Sequence, residues 1–191
     1  MACGAQAQQA APSQVASAEA PALSEVVVTA RRRAENLQKV PVAVTTFSSE
    51  KIQEKGITDR TGLADFTPSM ITITGGYPSE FAYFALRGQG PAFGSVPGVV
   101  PYFAEVANPV GIDGRVGAYF DLANVQVLAG PQGTLFGKNA TGGNILFEPQ
   151  RPTNVFGGYV QGEYGNYNDR RGEGAINIPI VKDKVLFRLA G

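Results

Sequence analysis

The stretch that decides the fold is rich in glycine and covers residues 130–143, which read GPQGTLFGKNATGG. An apolar run at residues 125–128 precedes this glycine-rich turn region, and a second one at residues 144–147 follows it. Short apolar runs bounded by glycine are typical of buried strands, and glycine permits the tight turns between them. We therefore predict two strands joined by a region of turns.

Two nucleotide-binding motifs begin in this sequence but are not completed. Residues 133–139 resemble a P-loop, but three residues instead of four separate the glycines, and Asn139 replaces the hydroxyl residue that would hold magnesium. Gly88-Gln89-Gly90 resembles the start of a dinucleotide fingerprint, but the third glycine is misplaced and Pro91 follows. We reject both motifs and interpret these glycines as turn residues.

The composition argues against several classes of function. The 191 residues include 16 basic and 16 acidic residues, and this neutral balance argues against nucleic-acid binding. There is no histidine, so the commonest general base and transition-metal ligand is missing. The single cysteine, Cys3, can form neither an internal disulfide nor a zinc site. We expect no enzymatic activity, no metal site and no cofactor.

The pattern over residues 38–153 predicts an α+β domain in which two short helices pack on a mixed sheet. Ser48 or Ser49 is a suitable N-cap for a helix that continues through Gly56, and Thr58 for a second helix that continues through Asp65. Apolar or alternating runs predict strands at residues 40–47, 70–74, 81–86, 99–106, 125–128 and 144–147.

The N-terminal part is expected to be a linker that contains one short strand. Residues 1–24 have few large apolar side chains and should be disordered. Ala5-Gln6-Ala7 has the form of a signal-peptidase site, so a signal-peptide remnant and a plain linker both stay open. The strand that follows either pairs with another protein or is an edge strand of the next domain; it consists of Glu25, Val26, Val27, Val28, Thr29 and Ala30.

From residue 157 onward the two faces of the chain alternate, with Val160 on one face and Gln161 on the other. Turns at residues 166–169 and 182–184 divide this tail into three antiparallel strands. Alternation over about ten residues is typical of strands in a transmembrane barrel, and a soluble meander gives the same pattern.

The glycine-rich turn region resembles the signature of the plug domain in TonB-dependent outer-membrane receptors. Other segments follow in that family's order: residues 25–30 resemble the TonB box, 35–44 the first plug strand, 84–88 the central plug strand, and 156–159 and 164–167 the start of the barrel. The resemblance implies a linker at 1–24, the TonB box at 25–30, a second linker at 31–37, the plug domain at 38–153 and the first two to three barrel strands at 156–191.

The resemblance also implies a function. The plug would lie inside a β-barrel of about 22 strands in the outer membrane of a Gram-negative bacterium. It would gate the uptake of scarce nutrients such as ferric siderophores, cobalamin or glycans. The C-terminal domain of the TonB protein would pair with the TonB box, and the remainder of the barrel would surround the plug.

The same resemblance assigns site residues. Arg87 would pair with a carboxylate of the barrel wall, and turns at Gly130, Gly133 and Gly137 would let the plug backbone approach that wall. The residues alone leave a second possibility for Arg87, an ion pair inside the plug with a carboxylate from the set Asp65, Glu105 and Asp121. Loops that face the barrel mouth would contact the ligand, and stacking on it or local packing are both open for their aromatic rings; their residues include Tyr77, Phe81, Gln89 and Phe93.

The sequence departs from the family pattern in three places and in length. Ala129 stands where an arginine usually precedes Gly-Pro, residues 101–106 replace a strand with an Asp-Gly turn, and residues 144–148 replace an Ala-Ile-Asn-Ile run. Three strands cannot close a barrel, and an open sheet edge is not viable in lipid. The chain is therefore either part or a truncated copy of a receptor, or a stand-alone periplasmic module or pseudogene fragment that binds without transporting.

Overall fold

The structure is a computed structural model that describes residues 27–28, 35–36, 41–74, 82–90, 98–107, 119–138, 140–168 and 170–191. The strands and helices of these residues follow one another in this order: β1 (Val27–Val28), β2 (Glu35–Asn36), β3 (Ala43–Ser48), α1 (Ser49–Glu54), α2 (Arg60–Asp65), β4 (Met70–Thr74), β5 (Ala82–Leu86), β6 (Val99–Phe103), β7 (Val106–Ala107), β8 (Leu122–Ala129), α3 (Gly133–Phe136), β9 (Gly143–Pro149), β10 (Gly157–Tyr164), β11 (Arg170–Val181) and β12 (Val185–Ala190).

The centre of the fold is a five-stranded mixed sheet with the strand order β3-β8-β9-β6-β7. β8 and β9 are antiparallel on either side of the glycine-rich turn region, and β6 runs parallel to β9. The backbone N–H of Gly130 donates to the carbonyl of Gly142 over 2.8 Å, which closes the region at its base. Both strands predicted to flank this region are present, and the short helix α3 within it was not predicted.

The strand predicted over residues 99–106 is wrong in its last part. The chain reverses at Ala104 and Glu105, whose φ angles are 46° and 70°, so that β7 pairs antiparallel with β6. The N–H of Ala104 donates to the carbonyl of Phe147 over 3.1 Å, which holds the turn against β9. Two consecutive left-handed residues make a tight hairpin turn, which usually contains glycine or asparagine, and Ala-Glu does not signal it.

The two predicted helices are present, with one change of N-cap. The Ser48 hydroxyl accepts from the Lys51 N–H over 3.4 Å at the start of α1. At α2 the Asp59 carboxylate accepts from the Gly62 N–H over 2.8 Å, so Asp59 is the N-cap in place of Thr58. In the part of the chain that the structure describes, no helix has the length and apolarity needed to cross a membrane.

Apolar side chains fill both faces of the central sheet. On the first face, α1, α2 and the β4–β5 hairpin pack against the sheet in one cluster that includes Phe47, Ile52, Leu63, Leu86, Val127, Ile145 and Phe147. On the second face, α3 and the chain after it pack in another cluster: Val100, Tyr102, Leu128, Phe136, Ala140 and Leu146. Burial on both faces explains why β8 and β9 are apolar runs instead of alternating ones. Each fully buried Val, Leu or Ile stabilises the fold by about 1.5–3 kcal/mol.

The tail forms an antiparallel sheet in the order β10-β11-β12. The predicted turns lie at residues 166–168 and 182–184, where Tyr167, Asn168 and Asp183 have positive φ. One face of this sheet is apolar and exposed, with exposed fractions of 94% for Val160 and 60% for Leu189. Asn177 belongs to the opposite face and is 3% exposed. The predicted fold class is therefore confirmed: an α+β domain with short helices, followed by antiparallel strands.

Two buried asparagines differ in their hydrogen bonds. Asn144 in β9 is 0% exposed, and its amide nitrogen and oxygen have no hydrogen-bond partner. Asn177 in β11 accepts from the Thr153 N–H over 2.9 Å and donates to the carbonyls of Thr153 and Val155 over 2.9 and 2.6 Å. An unpaired buried amide costs about 1–3 kcal/mol, whereas a paired one stabilises the fold.

We predict that the same substitution has opposite effects at these two positions. Asn144→Val should raise the free energy of unfolding by about 1 kcal/mol, because it removes an unpaired amide from an apolar cluster. Asn177→Val should lower it by about 1–3 kcal/mol, because Thr153 and Val155 lose their partner. Urea unfolding of the 191-residue chain in detergent micelles measures both. A loss of stability for Asn144→Val would contradict the assignment of an unpaired amide.

Candidate functional site

Arg87 lies in a two-residue turn that follows β5. Leu86 and Gln89 exchange backbone hydrogen bonds of 3.2 and 2.9 Å across the turn, and Arg87 and Gly88 have φ angles of 52° and 76°. The Arg87 N–H donates to the Ser69 carbonyl over 2.9 Å, which ties the turn to the start of β4. A left-handed residue with a Cβ costs about 1–2 kcal/mol, so the surrounding hydrogen bonds hold Arg87 in this conformation.

The Arg87 guanidinium lies beside the glycine-rich turn region. A Cβ added to Gly130 would be 3.7 Å from Arg87 Nη1, and Arg87 as a whole is exposed. Within the described residues, Arg87 forms an ion pair with none of the three predicted alternative partners, Asp65, Glu105 and Asp121. The pairing of Arg87 with a carboxylate outside this chain stays a prediction.

The three glycines assigned to this site serve local turns. Gly130 has a φ of 111°, and Gly137 has a φ of 67° at the end of α3, where its N–H donates to the Gly133 carbonyl over 2.8 Å. A Cβ on Gly133 would be 3.1 Å from the Lys138 carbonyl oxygen. Gly130 and Gly137 therefore favour glycine because of their positive φ, Gly133 has little room for a side chain, and the close approach of all three to a barrel wall stays a prediction.

The predicted TonB box is described only at its centre. Val27 and Val28 form β1, which pairs antiparallel with Glu35 and Asn36 of β2. The other four residues of the box lie outside the described residues: Glu25, Val26, Thr29 and Ala30. The extended conformation predicted for the box is thus present at its two central valines, and the partner of β1 within the described residues is a segment of the same chain.

Of the predicted ligand residues, only Gln89 is described. Tyr77, Phe81 and Phe93 lie outside the described residues. Gln89 is exposed and directly follows the Arg87-Gly88 turn, and its Cβ would be 2.8 Å from a Cβ added to Gly142. Gln89 therefore lies at one end of the glycine-rich turn region, near Gly142, and the Arg87 side chain lies at the other end, near Gly130.

An ion pair that the sequence did not predict joins the five-stranded domain to the three-stranded sheet. Arg188 of β12 donates from Nε to Asp121 Oδ2 over 2.8 Å and from Nη2 to Asp121 Oδ1. Asp121 directly precedes β8, and only 9% of its side chain is exposed, with 17% for Arg188. The two residues are 67 positions apart, and no motif links them.

A groove of about 770 Å³ separates α1 from the strands β10 and β11. Its polar lining includes Gln53, Glu163, Arg171 and Glu173, and Tyr119 lies at its inner side. Burial, followed by the charge of Asp59, raises the pKa of the Tyr119 phenol above its ordinary value. The phenol therefore stays neutral at physiological pH, and the groove has side chains of both charge signs.

The described residues contain no group of His, Cys, Asp or Glu side chains with the geometry of a metal site. Glu148 of β9 is a half-buried carboxyl that belongs to no such group. Burial, followed by the charge of Glu105, raises the pKa of Glu148.

Known proteins give a consistent comparison. The sequence profile of the family described as TonB-dependent Receptor Plug Domain matches residues 36–144. The pesticin receptor of Yersinia pestis is 30% identical over 165 residues, which cover 86% of this chain and 24% of that receptor. The chain therefore spans about a quarter of the length of this relative.

Two solved structures are also similar. The ferric yersiniabactin uptake receptor FyuA from Yersinia pestis superposes with a TM-score of 0.65 and 29% identity, over 73% of this chain and 22% of FyuA. The alcaligin outer membrane receptor FauA from Bordetella pertussis has a TM-score of 0.66 over 86% of this chain and 28% of FauA. At 18% identity the FauA comparison supports the fold alone.

We predict that the two arginines of this region differ in their effect on stability. Arg87→Ala should change the free energy of unfolding by less than about 0.5 kcal/mol. The Arg87 side chain is exposed, and alanine has to adopt the same positive φ as arginine. Arg188→Ala should cost about 1–3 kcal/mol, because Asp121 loses a charged hydrogen-bond donor. Urea unfolding of the 191-residue chain in micelles compares them. A large loss for Arg87→Ala would mean that Arg87 has its partner inside this chain.

Proposed function

Because the chain belongs to the family of TonB-dependent receptor plug domains, we propose that it is the gate region of an outer-membrane receptor. In this proposal residues 25–30 couple the receptor to TonB, residues 38–153 form the plug, and residues 156–191 begin the barrel. The substrate class is a scarce nutrient of the ferric siderophore type. This class comes from the relatives, of which FyuA is named a ferric yersiniabactin uptake receptor.

The observation that carries the proposal is the different character of the two faces of the β10–β12 sheet. The outer face exposes Val160, Ile176, Phe187 and Leu189, with exposed fractions from 94% to 40%. In the antiparallel register Ile176 lies opposite Leu189, and Val160 lies opposite Gly174. An apolar face of this kind suits hydrocarbon, where the backbone of each strand must be paired with its neighbours.

The inner face is polar and contacts the plug. Arg188 binds Asp121, and Asn177 binds the backbone of Thr153 and Val155. The plug thus lies on the face that would line the lumen of a barrel, and the opposite face stays free for lipid. This arrangement supports a plug within a barrel more than a soluble meander, since a soluble sheet would bury its apolar face.

The role of Arg87 in the proposal is to hold the plug against the barrel wall. A guanidinium fork suits bidentate pairing with a carboxylate. Arg87 is exposed at a turn whose backbone is fixed by Ser69 and Gln89, so its side chain is presented outward from a rigid base. Its partner would be a carboxylate from the remainder of the barrel.

The role of β1 is to offer a strand edge to the C-terminal domain of TonB. Backbone hydrogen bonds supply most of the affinity when a strand is added to a sheet. β1 is paired on one side with β2, and a two-residue ladder is too short to be stable on its own. TonB therefore either adds to the second edge of β1 or displaces β2.

The coupling role predicts a strong effect of proline on TonB binding. In a peptide of residues 20–36, Val27→Pro should abolish binding to the TonB C-terminal domain, because it removes a backbone donor from the strand. Val27→Ala is the matched control, which shortens the same side chain and keeps the N–H, and it should bind with less than about a tenfold loss. Calorimetry measures both, and equal affinity of the proline and wild-type peptides would refute the coupling role.

The gate role predicts leakage when Arg87 is removed. In the complete receptor, Arg87→Ala should increase the entry of a large antibiotic through the outer membrane, because the plug loses a contact with the wall. Lys138→Ala is the matched control, since Lys138 is also an exposed cation and lies in the glycine-rich turn region. Antibiotic sensitivity of cells that carry each variant is the measurement. Equal sensitivity of the wild type and Arg87→Ala would argue against the lock.

A further inference from the structure

The Asp121–Arg188 pair has the geometry of a strong contact. The guanidinium and the carboxylate form two parallel hydrogen bonds, one of them 2.8 Å long from Nε to Oδ2. With 17% and 9% of the two side chains exposed, water has little access to either group. Bidentate, charge-assisted pairs of this kind are about twice as strong as neutral hydrogen bonds and also fix orientation.

The backbone of Asp121 is fixed from the plug side. Asp121 has a φ of 52°, a conformation that aspartate tolerates better than most residues. Its carbonyl accepts from the Gln150 N–H over 2.9 Å, just beyond the end of β9. The Gln150 amide in turn donates to the Leu122 carbonyl over 3.4 Å. The carboxylate therefore projects from a point that is tied to both β8 and β9.

Two neighbouring contacts join the same end of the plug to the strands. Asn177 of β11 holds Thr153 and Val155 of the connecting segment. Asn154 donates to Asp183 Oδ1 over 2.6 Å and accepts from the Asp183 N–H over 2.8 Å, at the turn between β11 and β12. The groove of about 770 Å³ between α1 and the strands lies next to these contacts, since Tyr119, Phe120 and Gly191 also line it. The contacts thus lie beside the groove, at the end of β8 where Ser48 pairs with Asn124 and α1 begins.

We propose that Asp121 and Arg188 form an anchor that fixes the β8–β9 end of the plug to the barrel wall. The polarity of the anchor is opposite to that proposed for Arg87, because here the plug supplies the carboxylate and the wall supplies the guanidinium. The anchor rests on the proposed function, since it assigns β12 to the wall. It makes Asp121 and Arg188 positioning residues for the gate.

Amide hydrogen exchange of the 191-residue chain in detergent micelles tests the anchor. Asp121→Asn keeps the shape and the tolerance of positive φ and removes only the charge. Arg188→Lys keeps the charge and loses the planar fork. Each single variant should raise the exchange rate by about tenfold in both partners of the anchor, measured in peptides that cover residues 119–125 and 185–191.

The coupling between the two residues provides the sharper readout. If they act as one contact, the double variant should exchange no faster than the faster single variant, whereas independent effects would multiply. Asp183→Asn is the matched control, because Asp183 also has a positive φ of 61° and contacts Asn154 without an arginine. It should leave residues 119–125 unchanged. Residues 49–65 should exchange as in the wild type in every variant, as evidence that the fold is retained.

The proposal is overturned by either of two outcomes. One is that a variant accelerates exchange only in its own element, and the other is that the two effects multiply in the double variant. The measurement needs no TonB, substrate or complete barrel. A failed anchor therefore leaves the coupling role intact, and a failed coupling experiment with the Val27→Pro peptide leaves the anchor intact.

Discussion

The fold depends on one point where three backbone segments come very close together, at the junction between the glycine-rich turn region and β9. A Cβ on Gly143 would overlap the Leu128 carbonyl oxygen, and Gly143 has a φ of +144°. A Cβ on Gly142 would lie 2.9 Å from Val99 Cγ2. The Gly142 N–H donates to the Gly98 carbonyl over 2.8 Å. Because glycine has no side chain at either position, β6, β8 and β9 can meet here. The parallel β6–β9 ladder begins at this point.

The same junction positions the candidate lock. Gln89 packs over Gly142, and the Arg87-Gly88 turn is closed by the hydrogen bonds between Leu86 and Gln89. Leu86 is fully buried and also approaches Gly143. The position of the Arg87 guanidinium beside Gly130 is therefore a consequence of packing among glycines and one leucine. The charge of Arg87 determines what it can bind, whereas the packing around Gly142 and Gly143 determines where it lies.

The sequence was sufficient for features that depend on local chemistry. The Ser48 cap, the strand Met70–Thr74 and the turns of the tail follow from residue type and period, and the structure contains them. It was insufficient where tertiary packing overrides local preference. Ala104 and Glu105 have poor propensity for left-handed conformations, yet the pairing of Ala104 with Phe147 holds them there. Asp59 is the N-cap of α2 in place of Thr58. Both are suitable residue types at adjacent positions, so residue type alone could not decide between them.

The candidate site divides in the same way. The exposure of Arg87 at the end of an apolar strand was predictable, as was the extended conformation at the centre of the predicted TonB box. The pairing of β1 with β2 and the ion pair of Asp121 with Arg188 were not, because each residue type occurs throughout the chain. Partners 67 positions apart are selected by the three-dimensional arrangement, and a single sequence contains no signal for it. Residue type alone leaves Asp121 open as a partner for Arg87, whereas in the structure its carboxylate binds Arg188.

These contacts bear on the departure from the family pattern at Ala129, where an arginine is usual. Ala129 pairs with both Ala43 and Gly143 in the central sheet and is only half-buried, so the fold itself requires no arginine there. In the proposed receptor, where one expected cation is absent, Arg87 would attach the glycine-rich end of the plug to the wall, and Asp121 would attach the other end of β8. The plug would then have a cation near one end of β8 and an anion near the other. A plug shifted along the wall would bring each of these charges toward a group of the same sign, which repels it. In that receptor the signs of these charges, together with the shape of the plug, would specify how β8 is oriented against the wall.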